Sequence, residues 1–244
     1  MSLSVPLVPS PNFGDRKPEI KLEYIVIHYT GMQTGDEALT RMCDAASEVS
    51  AHYMIEEDGH IIQLVDEGKR AWHAGQGAWR GVTDMNSASI GIELVNPGHQ
   101  FGYRPFTAAQ VESLVLLIKD IIVRYGMNPA LCLLGHSDLA PLRKEDPGEL
   151  FPWQELAKQE LGLWPAPRAE DFEGTEHVMD AELQAMLRIV GYDCPQTGSY
   201  DPAMHKTILA FQRHFEPDNL TGTPERSTVA RLRALVRQVN ALQV

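Results

Sequence analysis

Cysteine is scarce in this chain, and the three present are placed so that they serve neither of its usual structural roles. Cys43, Cys132 and Cys194 are odd in number and widely spaced, which excludes a metal knuckle and a disulfide framework. Cys132, inside Ala130-Leu131-Cys132-Leu133-Leu134, reads as a core thiol. Long apolar runs are missing as well, so a membrane-spanning helix is not expected. Basic residues number 21 against 33 acidic ones, a net charge of −12. That balance argues against nucleic-acid backbones and anionic membrane surfaces as partners, and leaves a neutral or mixed-charge substrate open. The N-terminus, Met1-Ser2-Leu3-Ser4-Val5-Pro6, shows neither a basic segment nor a long apolar one. Together with the unpaired cysteines this gives the cytoplasm as the expected compartment, with the cell envelope as the alternative if a signal segment has been removed. What remains is ordinary for a globular protein: 43% apolar and 22% charged residues in 244, enough for one mid-sized domain and a smaller one.

Alternating β-branched and helical patterns divide the chain. Residues 1–20 are rich in Pro, Ser and charge and read as an extended lead-in. Glu23 to Tyr29 predicts a strand, Asp36 to Ala46 a helix, and Ala51 to Val65 a hairpin turning at Asp58-Gly59. Ser89 to Val95 and Leu131 to Gly135 predict further strands. Between them, Thr107 to Tyr125 has helical spacing, with Thr107 and Gln110 as a capping box and Gly126 as a stop. The expected architecture for residues 21–164 is an α/β domain, a mixed central sheet flanked by helices. Leu163 to Gly174 reads as a linker, and the expected domain division places it at residues 165–175. Residues 176–244 predict a small three-helix bundle, opened by caps at Asp180, Asp201-Pro202 and Thr223-Pro224. No solenoid period is visible.

Three apolar runs end on residues suited to metal or proton chemistry: Ile25-Val26-Ile27-His28, Ser89-Ile90-Gly91-Ile92-Glu93 and Leu133-Leu134-Gly135-His136. Asp146 follows ten residues beyond His136. Two imidazoles and a carboxylate leave a zinc ion one open position, and a nearby glutamate supplies the base. His28, His136 and Asp146 are therefore the candidate metal ligands, Zn2+ the candidate cofactor and Glu93 the candidate base. Lys144, two residues before Asp146, is placed to steady a developing oxyanion. Trp72-His73-Ala74-Gly75 suits a sugar or peptide platform. His52 reads as a structural, hydrogen-bonded histidine; His60, His99, His177, His205 and His214 suggest no role.

These segments, in order, resemble the zinc-dependent N-acetylmuramoyl-L-alanine amidases of the type-2 amidase family. The resemblance rests on Ile25 to Thr30, Ser50 to Tyr53, Ala71 to Gly75, Asn86 with Ser89 to Glu93, and Gly135 to Asp138 through Asp146-Pro147-Gly148. It implies zinc on His28, His136 and Asp146, catalysis by Glu93 and Lys144, and substrate contacts from Trp72, His73 and Asn86. The implied reaction is hydrolysis of the amide between N-acetylmuramic acid, or its 1,6-anhydro form, and L-alanine. The partner is accordingly peptidoglycan or a soluble anhydro-muropeptide. Leu142 departs from the pattern, standing where many relatives have glycine. Residues Leu183 to Arg213 resemble a type-1 peptidoglycan-binding domain. A non-catalytic receptor for wall fragments is the rival reading, and the complete set His28, His136, Asp146, Glu93 and Lys144 speaks for the enzyme.

Overall fold

The computed structural model describes residues 5–242. Its strands are β1 (Phe13–Asp15), β2 (Tyr24–Tyr29), β3 (Tyr53–Ile55), β4 (Ile61–Gln63), β5 (Lys69–Ala71), β6 (Ser89–Leu94) and β7 (Leu133–Gly135). The helices of the first two thirds are α1 (Gly35–Cys43), α2 (Met85–Ala88), α3 (Gly98–Phe101), α4 (Ala108–Tyr125), α5 (His136–Leu139) and α6 (Trp153–Ala157). Helices α7 (Asp180–Val190), α8 (Pro202–Phe215) and α9 (Arg226–Ala241) follow. Five strands form one sheet in the order β4-β3-β6-β2-β7. All neighbours are parallel except β4, which pairs antiparallel with β3 through the Asp58-Gly59 turn. The expected mixed sheet flanked by helices is thus present.

Side chains alternate between the faces of a strand, and that alternation sorts core from chemistry here. Ile25 and Ile27 of β2, with Ile90, Ile92 and Leu94 of β6, pack under α4 in one apolar cluster. The residues between them face the other way. β2 and β6 pair with Tyr24 opposite Ser89, Val26 opposite Gly91 and His28 opposite Glu93. Helix α4 is fixed at both ends as its sequence predicts. Thr107 and Gln110 close a capping box, and Gly126 stops the helix at φ +61°, a conformation that favours glycine.

Three expectations outside the helical bundle need correction. Residues 1–20 are not merely a lead-in: β1 pairs antiparallel with β5. Just beyond β1, the Arg16 guanidinium donates to the carbonyls of Glu67, Asn86, Ser87 and Ser89 at 2.8–3.1 Å. Four carbonyls on two segments need a multivalent donor, and a guanidinium supplies one. Helix α1 stops at Cys43, because Asp44 turns the chain by accepting from the Ala46 amide. The segment 163–174 is not a free linker. Its buried Asp171 takes both terminal nitrogens of Arg237, and Arg233 donates to the Asp171 and Glu173 carbonyls.

The helical domain is built on a duplicated clamp that its sequence hides. Gln184 on α7 accepts from the Gly198 amide and donates to Thr197 Oγ1 and the Ser199 carbonyl. Gln212 on α8 accepts from Gly222 and donates to Thr221 Oγ1 and the Thr223 carbonyl. Both glutamines are buried, so each amide is satisfied by the loop it holds. The second clamp occupies Thr223, and α9 therefore starts after Glu225 rather than at Thr223-Pro224. Met179, not Asp180, precedes α7 as its cap. This domain shares one apolar cluster with the sheet: Val26, Trp79, Leu134 and Leu139 pack with Leu187, Tyr192, Phe211 and Phe215.

Candidate metal centre and active-site cavity

Parallel register delivers the two histidines to one point. His28 occupies the second-to-last position of β2, and Ile27 pairs with Gly135, the last residue of β7. His136 therefore emerges beside His28. The loop after α5 returns through Asp146, whose carbonyl accepts from the Ser137 amide at 2.9 Å. His28 Nδ1, His136 Nδ1 and Asp146 Oδ2 form a triangle with sides of 2.9, 3.0 and 3.0 Å. All three residues are buried.

The outward nitrogens of both rings are already engaged, and this fixes which atoms face the centre. Ser89 Oγ donates to the Met85 carbonyl, so it accepts from His73 Nε2 at 3.3 Å. Neutral His73 then accepts at Nδ1 from His28 Nε2, at 3.0 Å. His136 Nε2 donates to the Ala74 carbonyl at 2.9 Å. Each Nδ1 is left with a lone pair facing the other and facing a carboxylate. Three acceptors with no proton between them repel unless a cation lies among them. Zinc ligands at about 2.0–2.1 Å in a tetrahedron stand about 3.3 Å apart, so small outward shifts of the side chains suffice. The residues fit a metal ion.

Titration agrees with that geometry. Burial, then His136, lowers the His28 pKa to about 4, against the pull of Asp146. Burial also holds His73 well below its ordinary value. For Asp146 burial acts upward, but His136 and His28 outweigh it and keep the carboxyl well below the usual range. His28 is thus neutral and Asp146 ionised at neutral pH, as metal binding requires.

Glu93 stands beside His28 across the β2–β6 pair. Its Oε2 is buried without a hydrogen-bond partner. Burial first, and the Asp146 charge second, raise its pKa well above the ordinary value, while Lys144 opposes them. A carboxyl raised in this way holds a proton more readily than an ordinary one, which suits a general base. Glu93 and Lys144 line a cavity of about 720 Å³ together with His28, His73, His136 and Asp146. Trp72, Arg143, Tyr29 and His99 line it too.

Two of the expected substrate contacts, His73 and Asn86, also form hydrogen bonds behind the candidate ligands. The His73 ring lies on Gly91, where an added Cβ would come within 2.4 Å of it. Asn86 is buried and absent from the cavity lining. Its Oδ1 accepts from the His73 and Ala74 amides at 3.1 and 2.7 Å. One carboxamide thus holds the two residues that orient both candidate histidine ligands. His52 is structural, as expected, with Nδ1 accepting from the Gly91 amide and Nε2 donating to the Lys69 carbonyl. His99, to which the sequence assigns no role, lines the cavity. It meets Tyr29 Oη and Glu149, and nothing in its local polar context signals this.

The family model for N-acetylmuramoyl-L-alanine amidase matches residues 18–149. The chain belongs to this amidase family. A putative peptidoglycan binding domain matches residues 180–232. The amidase AmiD of Escherichia coli K12 is 40% identical over 238 residues, covering 91% of this chain and 84% of that protein. The 1,6-anhydro-N-acetylmuramyl-L-alanine amidase AmpD of Enterobacter cloacae is 36% identical, over 60% of this chain and 84% of its own. Among solved structures, E. coli AmiD in complex with the substrate anhydro-N-acetylmuramic acid-L-Ala-D-γ-Glu-L-Lys has a TM-score of 0.78 at 35% identity. That match covers 93% of this chain and 98% of the other. AmpDh3 from Pseudomonas aeruginosa in complex with an anhydromuramic pentapeptide has a TM-score of 0.81 at 32% identity, covering 93% and 96%. Both structural matches of this amidase therefore extend across its sheet domain and its helical domain. No helix among its described residues is long and apolar enough to cross a membrane.

Proposed function

We propose that this amidase hydrolyses the bond between the lactyl carbonyl of N-acetylmuramic acid, or its 1,6-anhydro form, and L-alanine, with zinc held by His28, His136 and Asp146. The carrying observation is the triangle of three mutually facing acceptor atoms beside the unpartnered Glu93 Oε2. When bound, zinc polarises a carbonyl oxygen and acidifies water. Glu93 takes the proton from the attacking water and returns it to the leaving amine. Lys144 places its ammonium charge beside the cavity, where the carbonyl oxygen turns negative. Trp72, half-buried on the cavity wall, offers an aromatic face to the sugar or peptide. Three unpaired thiols favour a reducing compartment, so a soluble anhydro-muropeptide in the cytoplasm is the proposed substrate form.

The test is mass spectrometry of purified anhydro-muropeptide after incubation with the protein, with and without a chelator. Release of the sugar and an L-alanine-led peptide, abolished by chelation and restored by zinc, is the expected result. Intact substrate in the presence of zinc, and intact sacculi left uncut, would overturn the proposal.

A further inference from the structure

The helical domain grips the loop that carries most of the metal centre, and it does so with two consecutive residues. Arg213 and His214, near the end of α8, are both buried. His214 Nδ1 donates to Asp138 Oδ2 at 2.7 Å. Its ring is sandwiched between Trp153 and Phe215, with centroids 3.8 and 3.9 Å away and planes within 17° and 11°. Asp138 also accepts from the Gly135 amide and from Tyr192 Oη, each at 2.7 Å. Two of the three donors to this buried carboxylate thus come from the helical domain. Asp138 lies two residues after His136, on the same short helix. Arg213 donates to Glu145 Oε1 at 3.2 Å, and Glu145 lies between Lys144 and Asp146. Both ends of the segment 136–146 are therefore held from outside the sheet domain.

We propose that the helical domain is a working part of the metal centre, with Arg213 and His214 as positioning residues for His136, Lys144 and Asp146. The inference rests on the metal-centre reading above. A domain that served only to bind wall polymer would need neither contact. A buried carboxylate that loses its donors is costly to retain, and α5 must then shift or admit water. His136 moves with it.

The test separates donor from packing in the full-length protein. His214→Phe keeps an aromatic ring between Trp153 and Phe215 and removes the donor. His214→Asn removes the ring and keeps a donor near the Nδ1 position. Zinc affinity by chelator competition, the cobalt-substituted absorption spectrum, and kcat and KM on anhydro-muropeptide are measured for each. The expected result is an affinity about 10- to 100-fold weaker in His214→Phe, with kcat reduced, KM little changed, and partial rescue in His214→Asn. Arg213→Gln should weaken zinc several-fold, with no further loss when Glu145→Gln is added. Folded His214→Phe with wild-type zinc affinity and spectrum would overturn the inference. If the His214 variants do not fold, Arg213→Gln with unchanged affinity overturns it instead. An inactive wild type that still binds zinc would defeat the amidase reading alone, and the affinity comparison would stand.

Discussion

His28 and His136 approach within 3.0 Å of each other, yet they are braced from opposite ends of the chain. His28 sits on a central strand and is backed by His73, Ser89 and the Met85 carbonyl in sequence. The far end of that line is pinned by Arg16, from the N-terminal segment, on the carbonyls of Asn86, Ser87 and Ser89. His136 sits on a four-residue helix. Its own hydrogen bond goes to Ala74, and its helix is held by Tyr192 and His214 of the C-terminal domain. One ligand is thus fixed mainly by sheet register, the other by domain docking. The two supports meet at Asn86. Register is cooperative with the whole sheet, whereas docking depends on a few side chains. The His136 side should therefore be the easier one to perturb without unfolding.

The largest expected effect removes the group that both ligands serve. Glu93→Ala should leave zinc bound while kcat falls by about 10²- to 10⁴-fold, read by metal analysis and turnover together. Loss of the metal in that variant would mean that Glu93 is structural. Next come the braces themselves. Asn86→Ala should weaken zinc more than His73→Phe does, because it releases both supports; the latter should cost about 10- to 100-fold. Equal losses would show that the Ala74 carbonyl contributes nothing. Gly91→Ala should resemble His73→Phe, since its new methyl group would occupy the place of the His73 ring.

A smaller effect tests transmission from the helical domain. Gln184→Ala and Gln212→Ala each leave a loop amide and carbonyl without their buried partner, a loss of about 2–3 kcal/mol on denaturant melts. If docking fixes His136, Gln212→Ala, on the helix that carries His214, should lower zinc affinity more than Gln184→Ala.

The smallest effect lies in acid, on the His28 side. Asp84 caps α2 and accepts from Arg70, Ser87 and Lys17. Burial acts upward on its pKa, but these donors prevail and lower it from 3.8 to about 2. A depressed folded-state pKa adds stability that is present above the unfolded value and is lost as the pH falls through the folded one. Asp84→Asn should therefore cost about 1–2 kcal/mol at pH 5 and almost nothing at pH 2, in paired urea melts. A pH-independent difference would show that Asp84 acts only through its shape.

Much of the candidate site is legible in the sequence because strand alternation places it. His28, Glu93 and His136 each end or nearly end an apolar run, and parallel pairing of those runs brings them together. The roles of Asn86 and His214 are not legible, for a common reason. Asn86 reaches back 12 and 13 residues across a turn, and His214 meets Asp138 at a separation of 76. Neither partner leaves a trace in local periodicity, and His214 looks polar and exposed beside Arg213 and Glu216. The duplicated clamp escapes notice for a different reason. Its glutamine-to-threonine spacing is 13 residues in one copy and 9 in the other, so no fixed period exists to find.

The grip of α8 on the loop bearing His136 and Asp146 also sets a length. If the helical domain holds a sugar of the wall, that sugar lies at an invariable offset from the amide being cut, because no swivel separates the two. A tethered module would let the enzyme sample every stem within reach. A rigid one measures along the strand, and its products should then carry a spacing that records the distance between the two halves of the protein.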